Sequence, residues 1–147
     1  TVLNLNKRDL AVLPPLSTDH CGALTKLLLS RNRLASLPST LFEQMPNLKV
    51  LDLSDNCLGR IPEGLDRLPN LLELNVASNG IDRVGSELGV CTGLRILSLG
   101  KNRLYEVTPE ALAPLLHLCF LDLSSNFMRT VPLILHKRLP TLRRLIL

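Results

Sequence analysis

Aromatic side chains are scarce in this sequence of 147 residues, which contains no tryptophan and only 3% aromatic residues. A buried core must therefore be built from aliphatic side chains, and leucine supplies most of them. Apolar residues nevertheless make up 46% of the chain, which excludes a disordered protein. The length allows one domain with its own core.

Long apolar runs and a continuous basic stripe are also missing. No run approaches the ~20 apolar residues of a membrane span, so none is expected in this segment. The net charge is only +4, and the basic residues are not interleaved with aromatic ones. Because single-stranded nucleic acid is bound by basic grooves lined with stacking aromatics, nucleic acid is not an expected partner.

Cysteines are few, and the four present form no C-x-x-C motif. Cys21 and Cys91 occupy positions where related segments carry Leu or Met, so we expect buried free thiols that act as small hydrophobes. No asparagine begins an N-x-S/T glycosylation sequon. These absences favour a cytoplasmic location, with an extracellular or cell-surface location as the alternative.

What the sequence does contain is an internal repeat. The pattern L-x-x-L-x-L-x-x-N-x-L, called here the repeat frame and numbered from its first leucine, recurs at steps of 24, 23, 23 and 24 residues. Five full copies span residues 24–47, 48–70, 71–93, 94–117 and 118–141, flanked by partial copies 1–23 and 142–147. Position nine is occupied in the full copies by Asn32, Asn56, Asn79, Asn102 and Asn126.

These residues resemble the leucine-rich-repeat family over essentially the whole chain. The copies resemble a mixture of the 23-residue Ras-suppressor-like subtype and the 24-residue typical subtype. The resemblance implies an α/β solenoid: a right-handed horseshoe with a concave parallel β-sheet and short helical or 3₁₀ segments on the convex side. A single domain is expected, as a segment of a longer chain or as a chain that self-associates through its uncapped ends.

The physics of each position supports that expectation. The L-x-L core alternates with period two, as a strand does, so Leu27 and Leu29 should point inward. The position-nine asparagines should lie in buried turns, where a carboxamide satisfies backbone donors and acceptors. Arg8 replaces asparagine in the first copy and indicates a more solvated turn. Helical spacing on the return path is carried by the pairs Leu41/Met45, Leu65/Leu68, Leu88/Cys91, Leu112/Leu115 and Leu135/Leu139.

No catalytic constellation accompanies the repeats. His20, His117 and His136 fall in the return segments of different copies, and glycine-rich phosphate loops, G-x-S-x-G and H-E-x-x-H motifs are missing. We therefore predict a protein that is not an enzyme and holds no metal or cofactor.

A protein or peptide is the expected partner, bound on the concave face. Ile96, Phe120 and Phe127 are apolar at positions that the core does not need, and Arg103 and Asp122 lie near them in the frame. The predicted site comprises Val50, Asp52, Asn75, Ile96, Ser98, Arg103, Phe120, Asp122 and Phe127. A ridge with Tyr105 and Arg129 is a weaker second candidate.

The sequence leaves several functions open. The main prediction is an intracellular adaptor or recruiting scaffold. The alternatives are the repeat region of a larger receptor, kinase or GTPase, or a secreted or cell-surface recognition ectodomain.

Overall fold

Seven short parallel strands form one sheet in the computed structural model, which describes residues 1–38, 40–130 and 139–147. The strands follow one another across the sheet in chain order. Their bounds are β1 Val2–Asn4, β2 Lys26–Leu28, β3 Val50–Asp52, β4 Glu73–Asn75, β5 Ile96–Ser98, β6 Phe120–Asp122 and β7 Arg144–Ile146. This order confirms the predicted solenoid, in which each copy adds one strand beside the previous one.

The register of the sheet follows the repeat frame without a slip. Leu27 is opposite Leu51, and Leu97 is opposite Leu121, so the same frame position recurs on adjacent strands. A shift by one residue would move the leucines to the solvent face, which fixes this register.

The core consists of the inward frame positions, as predicted. Leu27, Leu29, Leu51 and Leu53 are fully inaccessible to solvent. In the first and last copies the equivalent leucines are less covered, and Leu145 is 37% exposed, because only one neighbouring strand packs against them.

The position-nine asparagines form the predicted ladder. Asn102 donates from Nδ2 to the carbonyls of Leu99 (2.8 Å) and Val76 (3.1 Å), and its Oδ1 accepts the N–H groups of Asn79 (2.9 Å) and Ile81 (3.1 Å). Each ladder asparagine thus joins its own turn to the copy before it. In the described residues every buried side-chain nitrogen or oxygen has a partner. Arg8 is exposed, in agreement with the solvated first turn.

The residue before each ladder position has a left-handed backbone. Its φ lies between 53° and 57° at Lys7, Arg31, Asp55, Ser78, Lys101 and Ser125. At the first five of these residues the N–H donates to the next copy, as Ser78 does to the Gly100 carbonyl at 3.0 Å. None of these six residues is glycine, although the conformation costs an ordinary residue ~1–2 kcal/mol. At those five residues the inter-copy hydrogen bond stabilises this conformation.

Short helices return the chain on the other side of the sheet, as predicted. Among the described residues two are α-helical, Thr18–Cys21 and Pro109–Leu112, and three are 3₁₀, Leu41–Gln44, Leu65–Arg67 and Ser86–Val90. The helical pairs of the first four full copies are buried. In the last pair, Leu139 is buried and Leu135 lies outside the described residues. No helix among the described residues has the length and apolarity needed to span a bilayer.

Candidate protein-binding face

The outward side of the sheet carries two stripes of side chains. Frame position three places Val50, Glu73, Ile96, Phe120 and Arg144 opposite one another on successive strands. Frame position five aligns Asp52, Asn75, Ser98 and Asp122 in the same way. Adjacent parallel strands are ~4.8 Å apart, so neighbours within a stripe are in reach of one partner segment.

Ile96 and Phe120 form the apolar part of this face. They are half-buried, whereas Leu97 and Leu121 beside them are fully buried. The guanidinium carbon of Arg144 lies 5.6 Å from the centroid of the Phe120 ring, within cation–π distance. Arg144 therefore belongs to the face, although it was not among the predicted site residues. Its frame position was the available signal, since it places Arg144 next to Phe120.

The two aspartates of the predicted site also have local roles. Oδ1 of Asp122 accepts hydrogen bonds from the N–H and Oγ of Ser124 (2.9 and 2.7 Å), and Asp52 does the same with Ser54 (3.0 and 2.7 Å). Asn75 holds the N–H of Ala77 at 3.1 Å. Asp and Asn commonly accept from the backbone two residues ahead, so this role was visible in the spacing.

A glycine leaves room for the Asp122 carboxylate. A Cβ added at Gly100 would lie 2.9 Å from Oδ2 of Asp122 and 3.1 Å from Oγ of Ser124. The side chain of Asp122 thus extends over Gly100, two residues after the end of β5, where Oδ2 is available to a ligand.

Phe127 and Arg103 lie beyond the strands, after the left-handed turns. Their N–H groups bond to the carbonyls of Leu104 (2.9 Å) and Ile81 (2.7 Å). The Phe127 ring pairs with Tyr105, with 5.6 Å between centroids, and both side chains are more than half exposed. The structure thus separates the predicted residues into a strand group with Ile96 and Phe120 and an edge group with Phe127. It also joins the edge group to the Tyr105 ridge.

The four cysteines and the two described histidines form no site with these residues. Cys21 and Cys91 are buried, as predicted, and all four cysteines are free. Desolvation, followed by the nearby Asp66 charge, raises the pKa of Cys91 to about 11. His20 and His117 are exposed, and His136 lies outside the described residues. Within the described ranges no three metal-ligating side chains cluster.

Known proteins match this arrangement. A family model described as "Leucine rich repeat" covers residues 22–81. The leucine-rich repeat-containing G-protein coupled receptor 5 of Rattus norvegicus is 36% identical over 111 residues, which are 76% of this chain and 12% of that receptor. The chain belongs to the leucine-rich-repeat family.

Other leucine-rich-repeat proteins show similar identities. Homo sapiens podocan-like protein 1 is 34% identical over 87% of this chain and 19% of its own length. Mus musculus podocan is 37% identical over 84% of this chain and 16% of its own. A chain of the Toll–Spatzle complex, described as a hub in Drosophila development and innate immunity, superposes with a TM-score of 0.76 at 25% identity. That match covers 83% of this chain and 16% of the other, so this chain spans less than a fifth of each of these proteins.

Proposed function

We propose that this chain is a non-enzymatic recognition module, the repeat region of a larger receptor-type protein, that binds a protein or peptide on the outward face of its sheet. The observation that carries the proposal is the half-buried pair Ile96 and Phe120, which are neighbours in the position-three stripe on β5 and β6. Interfaces are typically centred on such apolar or aromatic anchors and surrounded by small polar groups. Ser98 and Asn75 supply polar groups of that kind beside them.

The relatives support the receptor assignment over an intracellular adaptor. One is a G-protein coupled receptor by name, and the superposed Toll chain is part of a complex with Spatzle. Since this chain spans less than a fifth of those proteins, the remainder of such a receptor would lie in other domains.

An intracellular adaptor is the second candidate, and the cysteines favour it. Cys57 is an exposed free thiol, and Cys119 is partly exposed. Exposed thiols persist in reducing compartments and are oxidised outside the cell. Maleimide labelling of the native protein without prior reduction distinguishes the two: a labelled Cys57 supports the adaptor, and a blocked one supports the receptor.

The binding proposal is tested by affinity purification with wild-type chain and with the Phe120→Ala and Asp122→Arg variants. We expect specific partners of the wild type to be lost with both, because one removes the central anchor and the other places a large cation over the Gly100 strand exit. Partners that bind both variants as strongly as wild type would refute the proposal.

Two controls locate the contact. Glu87→Arg makes the same charge reversal on the exposed return helix and should keep the partner. Phe127→Ala removes an aromatic ring of the edge group only. If Phe127→Ala loses the partner and Phe120→Ala keeps it, binding is on the edge and not on the sheet face. Circular dichroism of each variant establishes that it is folded.

A further inference from the structure

Three arginines border the apolar pair of the sheet face. Arg95 and Arg143 directly precede β5 and β7, and Arg144 begins β7. The Arg95 carbonyl accepts the N–H groups of Cys119 (2.8 Å) and Phe120 (3.0 Å), and the Cys119 carbonyl accepts those of Arg143 (2.9 Å) and Arg144 (3.1 Å). The backbone hydrogen bonds between strands therefore continue one residue ahead of β5, β6 and β7. It sets Arg95 and Arg143 two strand spacings apart, about 10 Å.

We call Arg95, Ile96, Phe120, Arg143 and Arg144 the basic apolar edge. Its two apolar residues are register partners on β5 and β6. The guanidinium carbon of Arg144 lies 5.6 Å from the centroid of the Phe120 ring, so this contact restricts the guanidinium before any ligand arrives. A planar guanidinium held in this way loses less entropy when it then binds an anion.

The arginines of the basic apolar edge form no ion pair with a described carboxylate. In the part of the chain that the structure describes, the ion pairs use the guanidinium groups of Arg31, Arg33, Arg60 and Arg67. Arg95, Arg143 and Arg144 are all exposed. The nearest acidic stripe residue, Glu73, lies one strand before Ile96, and Asp122 lies at the opposite end of β6. The edge is therefore locally positive.

We infer that the basic apolar edge binds an extended acidic segment of a partner protein, with an apolar side chain of that segment against Ile96 and Phe120 and its carboxylates at the three arginines. The inference rests on the proposed function and names the chemistry of the partner. The guanidinium group of an arginine can form two parallel hydrogen bonds with one carboxylate. Alternate side chains of an extended chain point the same way, so a segment with acidic residues two positions before and two positions after an apolar residue presents all three to the sheet. Its two carboxylates are ~13 Å apart, which the long side chains of Arg95 and Arg143 can reach. The apolar pair distinguishes such a segment from a nucleic acid or other polyanion.

The test selects a phage-displayed library of random 12-residue peptides on wild-type chain. We expect enriched peptides to combine Asp or Glu with a large apolar residue. The double variant Arg95→Glu/Arg143→Glu should bind a synthesised enriched peptide with an affinity that is lower by roughly tenfold or more, because each ion pair is replaced by a repulsion between like charges. Affinity of the wild type should fall as salt is raised. Arg83→Glu, the same charge reversal at one exposed residue away from the strands and so half the charge change of the double variant, should leave affinity unchanged.

The outcomes separate this inference from the proposed function. Enriched peptides without an excess of acidic residues, or no enrichment at all, would overturn the inference. A second contradicting result would be heparin that displaces the peptide and that still binds Phe120→Ala as strongly as wild type. That result would indicate a general polyanion surface. If the peptides still bind the double arginine variant but do not bind Ser98→Arg, which obstructs the face, the inference is wrong and the proposed function stands. Peptides that tolerate both variants contradict both.

Discussion

Replacing Asn102 by leucine tests whether the ladder stabilises the stack by satisfying buried backbone groups. The carbonyls that Asn102 serves each have a second donor: Leu99 accepts from Asn126 (3.0 Å), and Val76 accepts from Asn79 (3.2 Å). The N–H groups of Asn79 and Ile81 have only the Asn102 Oδ1 among the described contacts, and both hydrogen bonds are buried. The substitution therefore leaves two buried donors without an acceptor.

Each such orphaned donor costs ~1–3 kcal/mol, so Asn102→Leu should lower the free energy of unfolding by about 4 kcal/mol. The same substitution at Asn32 should cost about 1 kcal/mol. There the two N–H groups belong to Arg8 and Leu10, and both hydrogen bonds are only partly buried, so water can replace the lost acceptor. Asn70→Leu, at an exposed residue with one hydrogen bond to the Pro46 carbonyl, should change little.

Urea denaturation followed by circular dichroism gives the three free energies, with an unchanged m-value as the sign that the folded and unfolded states are comparable. Equal losses at Asn102 and Asn32 would refute the argument, because burial would then make no difference. A loss below about 1 kcal/mol at Asn102 would show that the two donors find other acceptors.

Two further predictions concern backbone strain and pH. Ser78→Val should cost about 2 kcal/mol in urea denaturation, because a β-branched residue is forced into φ near 55°, whereas Ser78→Gly should not destabilise; equal effects of the two would contradict the assigned strain. Since burial raises the pKa of Cys91 from 9.0 to about 11, the folded state keeps a proton that the unfolded chain has lost, so stability present below pH 9 falls as pH rises to 11. The free energy of unfolding of the wild type should fall by on the order of 3 kcal/mol more than that of Cys91→Ala, as measured by denaturation across that pH range. Cys57→Ala, at an exposed cysteine, is the control. An equal pH dependence in wild type and Cys91→Ala would rule the prediction out.

Local periodicity made much of the fold predictable. The strands, the inward leucines, the asparagine ladder and the helical pairs all follow from spacings within one copy. The stripes on the sheet face followed as well, because constant register carries the same frame position to each strand. The compartment did not follow in the same way. The lack of a C-x-x-C motif and of N-x-S/T sequons favours the cytoplasm, whereas the named receptor relative favours the alternative.

The sequence alone determined which side chains face inward, since burying leucines from blocks that cannot cover them individually leaves one stacking register. Tertiary structure decided which side chains touch across copies. The Arg144–Phe120 contact and the Tyr105–Phe127 ring pair join residues more than twenty positions apart, where rotamers matter as much as register. It also decided the left-handed turns, where hydrogen bonds to the next copy stabilise that φ at residues such as Ser78 that carry no local signal for it.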